Sequence, residues 1–143
     1  DKTQSSPQKI VSNPAPLTTP QFINSRYTGL KSFRRIKPDI RVLIQEISKS
    51  PVIVAHYVPN YLKFYSKGVY NGEGCEENQM ANHSALAVGY DLEAKVPYIL
   101  IKNSWGSQWG DDGYYKMAIG SLSNVSGICM LAGTNFNVVP EFK

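Results

Sequence analysis

Two stretches in the second half of the chain decide the fold: NHSALAVGY at residues 82–90 and NSWGSQWGDDGY at residues 103–114. His83 stands at the start of an apolar strand, and Asn103 directly follows a second apolar strand at residues 97–102. If these two strands are antiparallel neighbours, the two side chains lie within hydrogen-bond reach. The sequence therefore predicts a histidine whose ring is oriented by a side-chain amide.

A histidine at the end of an apolar strand is, by itself, more often a packed core residue than a catalyst. The block that begins at Asn103 changes this interpretation, because its pattern NSWGxxWGxxGY is too specific for an ordinary turn with two core tryptophans. A nucleophile needs an imidazole to take its proton, and the imidazole needs a third group to fix its ring. His83 and Asn103 supply these two parts, since an amide oxygen accepts from one ring N–H and leaves the other nitrogen free.

Together the two stretches resemble the His/Asn half of the papain-like, cathepsin-type cysteine proteases. The resemblance spans roughly residues 35–140 and includes PVIVA at 51–55, FYSKGVY at 64–70 and GIC at 127–129. It implies that His83 is the general base and then the general acid, that Asn103 orients its ring, and that Trp105 covers their contact. The cysteine nucleophile, the glutamine of the oxyanion hole and the first-domain side of the cleft have no counterpart in this sequence. Catalysis by this chain alone is therefore not expected.

The resemblance also implies where a substrate binds. Ala55, Ala81 and Thr134 are expected to line the pocket for the substrate side chain two residues before the cleaved bond. These residues are small, so a bulky apolar side chain is expected there. Asn82 precedes the histidine, at the position where the family's backbone carbonyl contacts substrate.

The chain has two cysteines, Cys75 and Cys129, and neither has the sequence context of a nucleophile. The residues alone leave two free structural thiols or a disulfide open, and the family resemblance favours the disulfide. A metal site that adds His56 and His83 is formally possible, but no paired spacing such as Cys-x-x-Cys appears, so neither a metal nor another cofactor is expected. A disulfide indicates an oxidising compartment, and the expected locations are the lysosome or vacuole, or secretion.

The rest of the sequence predicts one main helix and several strands. The helix begins at Pro38-Asp39 and has a core-facing stripe of Ile40, Leu43, Ile44 and Ile47. Strands are expected at residues 51–55, buried on both faces, and at 83–90, 97–102 and 114–119, with a helical turn at 61–65 and a turn-rich connection at 68–74. One helix followed by strands, without strand-helix alternation, indicates an α+β fold.

In family terms, the resemblance implies the second, β-barrel-like antiparallel domain with one main helix and without the N-terminal helical domain. Residues 1–34 are expected to be an extended lead-in or interdomain segment, because the first twenty are rich in Ser, Thr, Gln and Pro. Residues 35–143 are expected to form the domain.

Charge and hydropathy exclude two classes of partner. The net charge of +4 is spread along the chain, and its densest cluster, at residues 31–41, lacks any nucleic-acid motif and is expected to be a solvated surface. No apolar stretch approaches the roughly 18 residues that a membrane span needs. The expected partners are a Cys-bearing N-terminal half or companion chain and a peptide or protein substrate.

Three explanations of a half-site remain open from the sequence. The chain is the C-terminal part of a protease whose Cys lies on another chain or a missing segment, or an inactive papain-like homologue that acts as a binding or structural module. The third explanation is an unrelated barrel that converged on the same block. The first two differ in whether a companion polypeptide offers a Cys next to Trp.

Overall fold

A computed structural model describes residues 29–76, 79–134 and 136–142 of the chain, so most of the expected lead-in at residues 1–34 lies outside the described part. The described residues form one helix, seven strands and two short 3-10 turns. The elements are β1 Leu30–Arg35, α1 Ile40–Ile47, β2 Val52–His56, β3 Val69–Tyr70, β4 His83–Asp91, β5 Tyr98–Lys102, β6 Tyr114–Ala118 and β7 Val138–Phe142, with 3-10 turns at Asn60–Phe64 and Ile128–Met130.

The strands form one sheet in the order β1-β7-β2-β4-β5-β6-β3. The pairs are antiparallel except β3 with β6, which is parallel, so the sheet is mixed rather than purely antiparallel. One helix packs against this sheet, mainly on β4 and β2. The α+β fold expected from the sequence is therefore confirmed.

Helix α1 begins at Ile40, directly after the predicted start at Pro38-Asp39, so Pro38 lies before the helix and not in its first turn. Asp39 is the N-cap, and its side chain accepts a hydrogen bond from the backbone N–H of Arg41. The side chain of Arg41 also donates to this carboxylate, and these hydrogen bonds lower the pKa of Asp39 to about 2. Ile40, Leu43 and Ile47 are buried, so the apolar stripe faces the core.

The core lies between this helix and the central strands. Its fully buried large side chains include Ile40, Leu43, Leu62, Ile99, Ile101, Tyr115, Met117 and Leu131. Strand β2 contributes Val52 and Val54, but Ile53 is exposed. The expectation that this strand is buried on both faces is therefore wrong at Ile53, whereas Ala55, two residues on and on the same face, is buried.

Strands β1, β3 and β7 were not expected from the sequence. β1 pairs with β7, with Phe33 opposite Pro140, and all six of its residues are exposed. Its sequence, LKSFRR, lacks the alternation of apolar and polar residues that is typical of a half-buried strand. β3 has only two residues and lies inside the predicted turn-rich connection. Because β1 runs across the boundary expected between residues 34 and 35, the division into lead-in and domain stays a prediction.

The basic side chains of the cluster at residues 31–41 are all exposed, as expected for a solvated surface. Two of its arginines have acidic partners: Arg34 pairs with Glu46 at 2.8 Å, and Arg41 pairs with Asp39 at 2.6 Å. Within the described ranges, no helix is long and apolar enough to cross a bilayer.

Cys75 and Cys129 form a disulfide with their Cα atoms 5.3 Å apart. The bond ties the loop before β4 to the 3-10 turn Ile128–Met130, so it closes a long segment that contains β4, β5 and β6. The pairing implied by the family resemblance is confirmed, and since the sequence has two cysteines, neither is left as a free thiol.

We expect neither cysteine to react with iodoacetamide in the unreduced native protein. For a sequence separation of 54 residues, the chain-entropy model gives a stabilisation of about 4 kcal/mol. The paired substitution Cys75→Ser and Cys129→Ser should therefore lower the free energy of unfolding in urea by up to that amount. Alkylation of either sulfur before reduction would contradict this assignment.

Candidate active site

Adjacent strands bring the two predicted catalytic side chains together. His83 is the first residue of β4, and Asn103 follows the last residue of β5, which pairs antiparallel with β4. His83 Nε2 lies 2.9 Å from Asn103 Oδ1. This is a normal distance for an N–H donor and an amide oxygen.

The orientation of the Asn103 amide fixes the position of the ring proton. Oδ1 also accepts from the backbone N–H of Ser104 at 2.9 Å, and a backbone N–H can only donate, so this atom must be the oxygen. Nε2 of His83 therefore carries the proton and donates it to Asn103. In the neutral ring, Nδ1 is then the basic nitrogen, and it has no hydrogen-bond partner among the residues described.

Trp105 packs beside this pair. Its ring centroid lies 5.1 Å from that of His83, and it is partly exposed. Trp109 packs edge to face against Trp105, with ring centroids 4.8 Å apart, and its ring N–H donates to the carbonyl of Lys63. Gly110 has φ 64°, and a Cβ there would lie 2.6 Å from the carbonyl oxygen of Tyr114. Only glycine fits this turn, which explains part of the glycine pattern.

Two of the three predicted pocket residues are in contact. Thr134 and Ala55 are both buried, and the hydroxyl of Thr134 lies 3.4 Å from the carbonyl oxygen of Ala55. Ala81 is half-buried and precedes Asn82, whose backbone N–H donates to the carbonyl of His56 at the end of β2. These contacts put the predicted residues next to the candidate site, and their role in substrate binding stays a prediction.

Asn137 was missed by the sequence analysis and braces this pocket. Its Oδ1 accepts from the backbone N–H of Ala55 at 2.9 Å and from the hydroxyl of Thr134 at 3.0 Å. Its Nδ2 donates to the carbonyl of Leu131 at 2.8 Å. No local motif marks this residue, because its bond to the strand residue Ala55 spans 82 positions of the sequence.

The side chain of Asn82 has a structural use that the sequence did not reveal. Its Oδ1 accepts from the backbone N–H of Val58 at 2.7 Å, and its Nδ2 donates to the carbonyl of the same residue at 3.2 Å. The amide thus pairs with both polar groups of one peptide segment and fixes the residue before His83.

A second histidine, His56, lies fully buried beside His83. Its Nε2 lies 2.6 Å from the hydroxyl of Tyr115, and its Nδ1 lies 2.9 Å from the carbonyl oxygen of Tyr57. Burial, with a smaller effect of His83, lowers the pKa of His56 to about 4. Among the residues described, no three His, Cys, Asp or Glu side chains come together as a metal site would require.

The family model for papain family cysteine proteases matches residues 15–136, which is well over half of the chain. The chain belongs to this family. Its curated relatives include a thiol protease aleurain-like protein of Arabidopsis thaliana, 51% identical over 79 residues, and the oryzain gamma chain of Oryza sativa subsp. japonica, 51% identical over 83 residues. The matched segments make up 54% and 57% of this chain but 22% of each relative. The matched part of the chain therefore spans only about a fifth of the length of these proteases.

Solved structures agree with the sequence relatives. Bromelain from Ananas comosus, in complex with the E64 inhibitor, matches with a TM-score of 0.67 and 30% identity over 80% of this chain and 51% of its own. Digestive procathepsin L2 from Tenebrio molitor matches with a TM-score of 0.66 and 36% identity over 82% of this chain and 36% of its own. The described fold is that of the papain-like second domain, as the resemblance implied.

The buried His56 should make the stability of this papain-family domain depend on pH. The unfolded chain binds a proton at His56 below a pKa of about 6.5, whereas the folded chain does so only near pH 4, so stability is lost as the pH falls through this window. We expect this residue to contribute a loss of about 3 kcal/mol between pH 7 and pH 4. Urea unfolding of His56→Leu at both pH values should lack that part of the loss. An identical pH dependence in both proteins would contradict it.

Two Asn-x-Ser sequons differ in their surroundings. Asn124 is exposed in a turn, whereas the amide of Asn82 is held by Val58 next to His83. If the protein follows the secretory route, we expect a glycan on Asn124 and none on Asn82, where it would fill the candidate cleft. Glycopeptide mapping of protein from a eukaryotic host measures both sites. A sugar on Asn82 would rule out a working site.

Proposed function

We propose that this chain is the His/Asn-bearing C-terminal part of a cysteine protease that hydrolyses peptide bonds by Cys-His-Asn acyl transfer. The observation that carries the proposal is the 2.9 Å hydrogen bond between His83 Nε2 and Asn103 Oδ1, which leaves Nδ1 as the basic nitrogen. The nucleophilic cysteine comes from another chain or from a segment outside this sequence, because both cysteines of the chain are joined in a disulfide.

In the proposed reaction His83 moves the proton in both halves of the cycle. Nδ1 takes the proton of the cysteine thiol, and the thiolate attacks the carbonyl carbon of the substrate peptide. The same nitrogen then gives the proton to the leaving amine as the C–N bond breaks and the acyl-enzyme forms. Water attacks the acyl carbon next and gives a proton to Nδ1. The C–S bond then breaks, which releases the carboxylic acid product, and the proton on Nδ1 returns to the sulfur.

Asn103 acts by orientation. Its oxygen accepts from Nε2–H both in the neutral ring and in the imidazolium, so the hydrogen bond persists throughout the cycle. An amide adds no formal charge, and the partly exposed Trp105 limits access of water to the contact. These two residues keep Nδ1 directed at one place while the proton moves.

The proposed substrate pocket is formed by Ala55, Ala81 and Thr134 and accepts a bulky apolar side chain two residues before the cleaved bond. Its support is the smallness of these side chains and the brace supplied by Asn137, which holds Ala55 and Thr134 together. The backbone carbonyl of Asn82 is the proposed substrate contact beside His83. The proposed substrates are therefore peptides or proteins.

The proposed location is the lysosome or vacuole, or the extracellular space, since the Cys75–Cys129 disulfide suits an oxidising compartment. The alternative proposal is an inactive papain-like homologue that serves as a binding or structural module. The observation in its favour is that the sequence carries no thiol outside the disulfide. The two proposals predict different outcomes for the assembled protein, which is this chain together with its Cys-bearing part.

In the assembled protein, His83→Ala should lower the turnover of a peptide substrate by about 10³-fold or more, because no other group replaces the proton carrier. Asn103→Ala should lower it by about tenfold to a hundredfold, since orientation is lost while the base remains. The exposed Asn124→Ala is the matched control and should retain full activity. Turnover of the peptide substrate per mole of assembled protein is the measurement.

The order of the two losses is the central claim. Unchanged turnover in His83→Ala would refute the mechanism, and a larger loss in Asn103→Ala than in His83→Ala would refute the assigned roles. Absence of any E-64-sensitive hydrolysis in the unmutated assembled protein would favour the inactive module.

A further inference from the structure

His56 is a buried titratable side chain that the proposed mechanism does not use. It is the last residue of β2, and the register of β2 with β4 places it directly opposite His83. Side chains of such a cross-strand pair lie on the same face of the sheet and touch. The two imidazole rings are indeed edge to face, with centroids 5.7 Å apart and planes at 89°.

Two hydrogen bonds fix the His56 ring and its proton. The carbonyl of Tyr57 can only accept, so Nδ1 of His56 carries the proton and donates to it at 2.9 Å. In the neutral ring Nε2 is therefore an acceptor, and the hydroxyl of Tyr115 donates to it at 2.6 Å. Rotating or flipping the ring would break both bonds in a buried environment, which is costly.

His56 and Tyr115 also complete a closed series of aromatic ring contacts around the site. In this series the ring centroids of His83 and Trp105 lie 5.1 Å apart, those of Trp105 and Trp109 4.8 Å, and those of Trp109 and Tyr115 5.6 Å. The ring centroids of Tyr115 and His56 lie 5.9 Å apart, and the ring of His56 contacts that of His83. The His83 ring is thus held between Trp105 and His56, while its Nε2 is held by Asn103.

We infer that the hydrogen-bonded pair of His56 and Tyr115 positions the His83 imidazole, and that it does so with an uncharged neighbouring ring. The inference rests on the proposed function of His83. A proton on His56 would put two positive rings 5.7 Å apart whenever His83 is an imidazolium. The titratable groups that face His56 are His83 from β4 and Tyr115 from β6, and within the described part of the chain no carboxylate forms an ion pair with it.

The test compares two losses of a single phenol hydroxyl from the same aromatic cluster in the assembled protein. Tyr115→Phe removes the donor to His56, whereas Tyr65→Phe removes a hydroxyl that donates to the carbonyl of Gly68 and accepts from the backbone N–H of Lys116. We expect Tyr115→Phe to lower kcat per E-64-titrated site by about tenfold with KM within about twofold, because the base is misplaced rather than the substrate. Tyr65→Phe should leave both constants unchanged.

A second variant, His56→Leu, removes the ring that accepts the hydrogen bond from Tyr115. His56→Leu should lower kcat by a similar factor, and adding Tyr115→Phe to it should cost no more than about twofold further, since the bond is already absent. If either single variant keeps the kcat of the unmutated protein per titrated site, the positioning role is overturned. A fall in the number of titratable sites alone, with kcat per site unchanged, would likewise overturn it and indicate a role in folding only.

A spectroscopic measurement tests the positioning of the His83 ring without relying on peptidase activity. The Nε2–H of His83, assigned by its absence in His83→Ala, should give a slowly exchanging NMR signal in the unmutated protein and in Tyr65→Phe. In Tyr115→Phe and His56→Leu the signal should broaden or disappear, because the ring no longer stays on Asn103. Unchanged signals in both variants would overturn the positioning role, whether or not the unmutated protein has peptidase activity. If the variants lose the signal and the unmutated assembled protein has no peptidase activity, the positioning role stands and only the protease proposal is refuted.

Discussion

The structure depends on the antiparallel pairing of β4 with β2 on one side and with β5 on the other. This pairing sets His83 opposite His56 and brings Asn103 to the same end of the sheet. The three side chains come from three different strands or their ends, yet each is fixed by a ladder of backbone hydrogen bonds. A site built on such elements keeps its geometry better than one built on loops alone.

Side-chain amides extend this ladder beyond the strand ends. An asparagine amide has a donor and an acceptor, as a peptide group has, so it can take the place of a missing strand neighbour. Asn82 does so with Val58, and Asn137 does so between Ala55 and Leu131. Asn103 uses its oxygen for Ser104 and His83, while its Nδ2 is buried without a partner among the residues described. In all three cases the amide stiffens backbone next to the candidate cleft.

The features that the sequence predicted are those whose causes are local. Helix α1 was predicted because its start signal, Pro38-Asp39, and its apolar stripe lie within a few residues of each other. Strands β4, β5 and β6 were predicted because each is an apolar run bounded by turns, and the approach of His83 to Asn103 followed from the pairing of two of them. By contrast, β1 and β7 are recognisable only through each other, since β1 is exposed throughout and β7 contains a proline.

The same distinction explains which parts of the site were missed. His56 reaches Tyr115 across 59 positions, and Asn137 reaches Ala55 across 82 positions, so no spacing in the sequence brings either pair to notice. A weak signal was present, because His56 is a polar residue that ends an otherwise apolar strand. Its meaning depends on the residue opposite, which only the register supplies.

The electrostatics of His83 follow from this surrounding set. Asn103, Trp105 and the neutral His56 contact the ring, and none of them carries a formal charge. Within the described residues no carboxylate forms an ion pair with it. Under the proposed function, an imidazolium at His83 would find its opposite charge in the thiolate of the Cys-bearing part. The charge state of the two groups would then be a property of the assembled pair rather than of either residue. In that proposal this chain contributes orientation and a proton acceptor, and the Cys-bearing part contributes the opposite charge.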